Sequence, residues 1–277
     1  MTDRIINFNP GPSALPLPVL EKAQAEFLNY RGSGMSIMET SHRAKEFDDL
    51  LVETQNLTLE LLGLGDNYKV MFMGGGASLQ FAMIPLNMMN EGRTADYVDT
   101  GTWSTKAIKE AKIVGEPNVA ASTKDTNFNR IPRQDELKLN PDASYVHITS
   151  NNTIKGTQWA DFPDTGDVPL VVDMSSDILS KKYTMDKVGF LYAGAQKNLG
   201  PSGVTLMVMR DDMIDRCRGD KLPTLLQYKT HWEKPSLYNT PPTYPIYLVK
   251  LVMDWIKDQG GLAAVEKVNR AKGDALY

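Results

Sequence analysis

The chain has 277 residues, 42% of them hydrophobic, enough to bury one large core or a large one beside a small one. A net charge of −4 without a basic tail or stripe argues against nucleic acid or any other polyanion as partner. The single cysteine, Cys217, excludes a disulfide framework and a thiolate metal cluster and reads as structural, so no metal site is expected. The opening "MTDRIINFNPGPS" lacks a basic stretch followed by an apolar one. No apolar run reaches the length of a membrane span, and the expectation is a soluble, cytoplasmic protein without membrane contact.

In chain order, "NFNPGPSALPLP" is turn-rich and should lie extended over another element. Residues 17–30 predict a helix with Leu20, Ala23 and Phe27 on one face. A second helix over 44–62 spaces Phe47, Leu50, Leu51, Thr54, Leu57, Thr58 and Leu61 by three and four, and Gly63 stops it. Then the pattern alternates. "YKVMFM" (68–73) predicts a buried strand, "GGGAS" a loop and 78–90 a helix; "ADYVDT", "SYVHITS" and "VPLVVDM" predict further strands, with helical or irregular stretches between. "DDMIDRCRGD" reads as a charged helix around Cys217, 245–258 as another helix, and the closing "GGLAAVEKVNRAKGDALY" as the start of one more. Such alternation predicts an α/β layered domain with a largely parallel sheet, its ligands gathered beyond the strand ends. The runs 188–193 and 203–209 differ, because the nine residues between them are too few for a parallel crossover. They should pair antiparallel or lie apart.

Four strand ends carry chemistry. The glycines of "MFMGGGASLQ" allow close backbone approach, and a helix opening on Ala77 and Ser78 would present free N–H groups to a phosphate; the alternative is a tight strand–helix turn. Asp173 closes the apolar strand of "VPLVVDMSSD", either as a cap or ion-pair partner or as a permanent anion that holds a protonated ring nitrogen. Lys197 stands in "GAQKNLGPSG" at the next strand mouth. It is either a solvated loop lysine or a desolvated amine able to act as nucleophile and base. Trp103, in "VDTGTWSTKA", is either a core residue or a platform for a flat ring. Taken together, an amine, an acid, a phosphate turn and a stacking ring describe a pyridoxal phosphate site.

At these residues the sequence resembles a known family. "FNPGPSALP", "SHR" (41–43), "GGGAS", "GTWS", "DMSSD", "AGAQKNLGPSG" and "YNTPPTY" (238–244) look like the phosphoserine aminotransferases, class V aminotransferases on the type I pyridoxal phosphate fold. The resemblance spans essentially the whole chain. It implies a mostly parallel central sheet with helices on both faces, and amino transfer between O-phospho-L-serine and 2-oxoglutarate, giving 3-phosphooxypyruvate and L-glutamate in serine biosynthesis. It implies that Lys197 binds the cofactor covalently and moves the substrate proton, that Asp173 pairs with the ring nitrogen and that Trp103 stacks on the ring. Thr153 would bond the phenolic oxygen, and Ala77, Ser78 and Gln196 would hold the phosphate. Asn239 and Thr240 would reach that phosphate from a neighbouring subunit, implying a homodimer, while His42 and Arg43 would face the substrate. Read without the family, "SHR" is a helix cap at Ser41 followed by solvated charges.

The family's pattern continues for something under a hundred residues beyond Tyr277. The expected division is therefore an N-terminal segment (1–15) belonging with a small domain, a cofactor-binding domain (16–262) and the start of an incomplete small domain (263–277). The residues that would read the substrate carboxylate lie in the part expected to be missing. Two other readings are a serine- or alanine-glyoxylate-type class V aminotransferase, and a cofactor-binding form without turnover. A cysteine desulfurase is disfavoured, because the only thiol lies in "IDRCRG".

Overall fold

A computed structural model describes residues 4–89 and 92–276. In chain order the helices and strands are α1 (Leu17–Ala25), α2 (Lys45–Leu62), β1 (Tyr68–Met73), α3 (Gly76–Met88), β2 (Asp96–Asp99), α4 (Thr102–Val114), β3 (Asn118–Ser122) and β4 (Val146–Thr149). There follow β5 (Asn151–Asn152), β6 (Thr157–Gln158), β7 (Leu170–Asp173), β8 (Val188–Gly194), β9 (Thr205–Arg210), α5 (Asp211–Ile214), α6 (Tyr228–Glu233), α7 (Thr243–Asp258) and α8 (Gly261–Leu276). Short 3₁₀ turns connect several of them.

Seven strands form one sheet in the order β1-β9-β8-β7-β4-β2-β3. The pairs from β3 through β8 are parallel. β9 runs antiparallel to both β8 and β1, so β1 runs with the parallel set and β9 alone is reversed. This is the outcome expected for a connection too short to cross over. As a result the ends of β1, β2, β4, β7 and β8 all open at one edge of the sheet, where α/β sheets gather their ligands.

Side-chain alternation divides the core in two. Val70, Phe72, Ile148, Leu170, Val172 and Leu191 face α1, α2 and α7, while Met71, Tyr97, Tyr145, Val171, Phe190 and Tyr192 face α3 and α4. Strands covered on both faces carry continuous apolar runs, which made 168–174 and 188–193 legible in the sequence. Helix α2 buries Phe47, Leu50, Leu51, Thr54, Leu57 and Thr58 as its spacing predicts, with Leu62 in the place expected for Leu61. It ends on left-handed Gly63, where the Leu64 N–H returns to the Leu59 carbonyl at 3.0 Å.

Three expectations are corrected. The helix over 17–30 stops at Ala25, because the turn formers Asn29, Gly32 and Gly34 draw the chain into a 3₁₀ turn. Its buried face is Val19 and Ala23, and Phe27 is left 42% exposed. The helix around Cys217 is the four-residue α5, which ends before the cysteine; Cys217 is buried beyond it. Strand β3 escaped the pattern because it lies at the sheet edge, where Val119 stays 40% exposed and the apolar signal is thin. Among the described residues no helix is long and apolar enough to cross a membrane.

Packing is close where β8 passes α5. A Cβ on Gly189 would lie 2.6 Å from Met213 Sδ and 2.9 Å from Pro169 Cβ. Gly189→Ala should therefore destabilise the fold by about 1–3 kcal/mol, read as a lower urea midpoint at unchanged slope. An unchanged midpoint would contradict the packing described.

Candidate active site

Two consecutive left-handed glycines, Gly75 (φ +94°) and Gly76 (φ +65°), turn β1 into α3. A Cβ on Gly75 would fall 2.4 Å from Leu79 Cδ2, so the turn admits only glycine there. No side chain caps α3, which leaves its first amides, near Ala77 and Ser78, directed at the strand edge with the positive end of the helix dipole.

Beyond β2, Ser104 and Thr105 hydroxyls donate to Asp99 Oδ1 (3.1 and 2.8 Å), and Ser104 Oγ accepts from the Thr100 and Gly101 amides (both 2.9 Å). These bonds fix the first turn of α4 and with it Trp103. A Cβ on Gly101 would meet Asn152 Oδ1 at 2.7 Å, so the α4 turn lies directly against β5.

At the end of β7 the Asp173 side chain is almost fully buried. Its Oδ1 accepts both the Ser175 amide (2.9 Å) and the Ser175 hydroxyl (2.6 Å). Oδ2 has no partner among the described residues. Burial raises the pKa of this carboxyl to about 6; the Ser175 bonds oppose the rise, Asp177 adds to it and Lys197 opposes it. Ser175 was not singled out in the sequence, although a serine two residues after an aspartate is the pattern of an Asx-turn.

Lys197 is half-buried at the mouth of β8, its stem covered by the N-terminal segment. The Ser13 hydroxyl donates to the Lys197 carbonyl, and the Ser13 amide to the Gln196 carbonyl at 2.9 Å. This is the element over which the turn-rich opening lies. Lys197 Nζ donates to Thr153 Oγ1 at 2.7 Å and stands 5.0 Å from the centre of the Trp103 ring. Desolvation lowers its proton affinity, with Asp173 pulling the other way.

A cavity of about 130 Å³ joins these groups. Ala77, Ser78, Trp103, Thr153, Asp173, Gln196 and Lys197 line it, with Gly76, Thr149, Asn151, Ser175 and Ser176, which the sequence reading did not name. His42, Arg43, Asn239 and Thr240 are not among its walls. Two of them meet outside it, where His42 Nδ1 lies 3.4 Å from Thr240 Oγ1.

The donors fit a phosphorylated pyridine. Among the described residues Trp103 Nε1 and Thr149 Oγ1 are buried without a partner and Asp173 Oδ2 is open; the α3 amides suit a phosphate, and a desolvated amine is in reach. Such groups at the edge of this sheet define a pyridoxal phosphate-dependent transaminase. The chain belongs to the class V aminotransferases, whose family profile, "Aminotransferase class-V", matches residues 5–277. Its relatives have a narrower name. The phosphoserine aminotransferase of Desulfosudis oleivorans is 57% identical over 279 residues, a match covering all of this chain and 76% of that protein. The solved phosphoserine aminotransferase of Bacillus circulans subsp. alkalophilus superposes with a TM-score of 0.97 at 52% identity, over 100% of this chain and 76% of that one. The pyridoxal phosphate-bound enzyme of Trichomonas vaginalis gives 0.93 at 40% identity, over 99% and 81%. The expected fold, the pyridoxal phosphate cofactor and the aminotransferase class are thus established.

The raised Asp173 value has a consequence for stability. The native state holds this proton more tightly than the unfolded chain, so the contribution of Asp173 to stability is fully present below pH 3.8 and is lost as the pH rises through about 6. The gap between those values corresponds to an order of 3 kcal/mol. In cofactor-free protein, Asp173→Asn should raise the melting temperature above pH 6.5 and leave it unchanged below pH 3.8. A melting temperature lowered by the substitution at pH 8 would refute the assignment of burial as the dominant cause.

Proposed function

We propose that the chain transfers the amino group of O-phospho-L-serine to 2-oxoglutarate, giving 3-phosphooxypyruvate and L-glutamate, with Lys197 and Asp173 as catalytic residues. The observation that carries the reading is the presence of two desolvated ionisable groups in one cavity. Lys197 Nζ lies 2.7 Å from Thr153 Oγ1, and Asp173 presents an unpartnered Oδ2. The narrower choice of substrate is supported by relatives of that name at up to 57% identity.

Bound pyridoxal phosphate supplies an electron sink for the pair left on the substrate α-carbon when its proton departs, and this sink works only while the ring nitrogen is protonated. Asp173 holds that proton at Oδ2, while the Ser175 bonds to Oδ1 fix the direction of the carboxylate. Lys197 Nζ, its proton affinity lowered by desolvation, would hold the cofactor through a carbon–nitrogen bond formed with loss of water; displaced from that bond by the incoming substrate amine, the freed amine would accept the α-proton and deliver it to the neighbouring carbon. Thr153 donates to the phenolic oxygen, and Trp103 supplies the ring platform. Ala77, Ser78 and Gln196 hold the phosphate, the first two with the dipole of α3 behind them.

The reading extends to a homodimer. His42 and Thr240 lie together, with Arg43 and Asn239 exposed beside them, and none lines the cavity of its own chain. Nearby in sequence, Leu28 (79% exposed), Met35 (45%) and Met38 (46%) leave large apolar side chains in water. We read this surface as one that closes the site of a second subunit, with Asn239 and Thr240 reaching its phosphate and His42 and Arg43 its substrate. Residues 1–15, where Ile5, Ile6 and Phe8 are more than 80% exposed, are read as a segment belonging with a small domain of which 263–277 is the start.

Purified protein given pyridoxal phosphate should absorb in the visible, and Lys197→Ala should abolish the band together with amino transfer, lowering kcat by at least about 10³. Protein that takes up no cofactor would refute the site, and preference for alanine or glyoxylate over phosphoserine would refute the substrate. The shared site has its own test. Lys197→Ala and Asn239→Ala/Thr240→Ala chains, each defective alone, should regain activity when mixed and refolded together, since one hybrid site is then intact. No recovery from a confirmed mixed dimer would exclude sharing.

A further inference from the structure

Asp177, the last residue of "DMSSD", is 1% exposed and lines no part of the cavity, yet it accepts three side-chain hydrogen bonds. Its Oδ1 accepts from the Ser150 hydroxyl; its Oδ2 accepts from the Tyr183 hydroxyl at 2.6 Å and from Gln158 Nε2 at 2.9 Å. Ser150 directly precedes β5 and Gln158 closes β6, so one buried anion grips both feet of the same hairpin. Its ladder pairs only Asn151 with Gln158 and Asn152 with Thr157, with the Trp159 amide on the Ser150 carbonyl at the foot (2.9 Å) and the Gly156 amide on the Asn152 carbonyl near the tip (2.8 Å), where Thr153 sits. Two rungs of ladder do not hold a hairpin rigid in water.

We propose that Asp177 is a positioning residue: it straps the 150–158 hairpin to the loop after β7, so that Thr153 is held at the Lys197 amine while Asp173 is held at the ring nitrogen. The two carboxylates stand only four positions apart, and the Asp177 and Ile178 amides both return to the Met174 carbonyl (3.2 and 2.9 Å). The loop therefore fixes Asp177 relative to Asp173, and Asp177 transmits that position to the hairpin. Ser176 adds a bond to the Asn151 carbonyl at 2.8 Å. The titratable groups facing Asp177 are Tyr183, Lys181 and Asp173. Burial raises its proton affinity, while its three donors and Lys181 lower it. An asparagine here would present one acceptor where two are used, and would turn an N–H toward at least one existing donor.

The inference rests on the reading of Thr153 as a contact to the phenolic oxygen of the ring, and two measurements keep the questions apart. In cofactor-free protein, Asp177→Asn should speed amide exchange at Gly156 and Trp159 at least about tenfold, with core strand β8 unchanged; equal exchange rates would overturn the strap. In the loaded protein, Asp177→Asn should raise the pH midpoint of the visible absorbance by about one unit, as expected when a hydrogen bond to an anionic oxygen is lost. Thr153→Ala should shift it the same way. The double variant should move it no further than Thr153→Ala alone, whereas additive shifts would overturn action through Thr153. If Thr153→Ala leaves the midpoint unmoved, the reading of Thr153 fails and exchange alone decides the strap. Should Asp177→Asn not fold, Gln158→Met, at an exposed position, replaces it in both experiments under the same criteria, with a smaller expected effect.

Discussion

Taking one amine and one carboxylate out of water at neighbouring strand ends is the condition to which the rest of this structure answers. An unpaired ion so placed would cost several kcal/mol, and here each has partners of its own. Asp173 rests on Ser175 through two bonds to one oxygen, and Lys197 rests on Thr153. The remaining capacity of both groups, Oδ2 of the acid and the reactive pair of the amine, is left for a ligand. The raised proton affinity of the acid and the lowered affinity of the amine follow from the same desolvation.

Holding those partners requires backbone order well beyond the two ions. Ser175 must follow Asp173 in a tight turn, and its hydroxyl also accepts the Gly194 amide at 3.0 Å, which ties the β7 loop to the end of β8. Thr153 sits on a hairpin that meets the Trp103 turn through Asn152, whose amide donates to Thr100 Oγ1 at 3.0 Å. Loops from β2, β4, β7 and β8 thus brace one another across the sheet edge. Reversal of β9 alone lets the Lys197 loop be short, so the amine is carried on a stiff connection rather than on a crossover helix.

Much of this was legible from local pattern. Apolar runs marked β1, β7, β8 and β9 because both faces of the sheet are covered, and the spacing of Phe47 to Thr58 marked α2 because that helix buries one stripe. Gly75 and Gly76 were readable as a turn since only glycine adopts their backbone there. The edge strand β3 was not readable, because exposure on one side removes the apolar signal. The end of α1 was misplaced because Phe27 continues the helical spacing in sequence while the backbone has already turned toward Asn29. The roles of Ser175 and Asp177 were hidden for a different reason: each takes a donor from a distant segment, Gly194 at 19 residues from Ser175 and Ser150 at 27 from Asp177.

By itself the sequence determined the class of fold, a connection after β8 too short for a parallel crossover, and the residue types able to hold a phosphorylated pyridine. Those follow from periodicity, chain geometry and side-chain chemistry, which act over a few residues. Only the tertiary structure decided which of the candidates share a cavity. Ala77, Ser78, Trp103, Thr153, Asp173, Gln196 and Lys197 converge on one space, while His42 and Thr240 meet on a separate surface. The physical reason is that desolvation and hydrogen-bond partnership are properties of a place, and strand order brings residues as far apart as Gly76 and Lys197 to the same one.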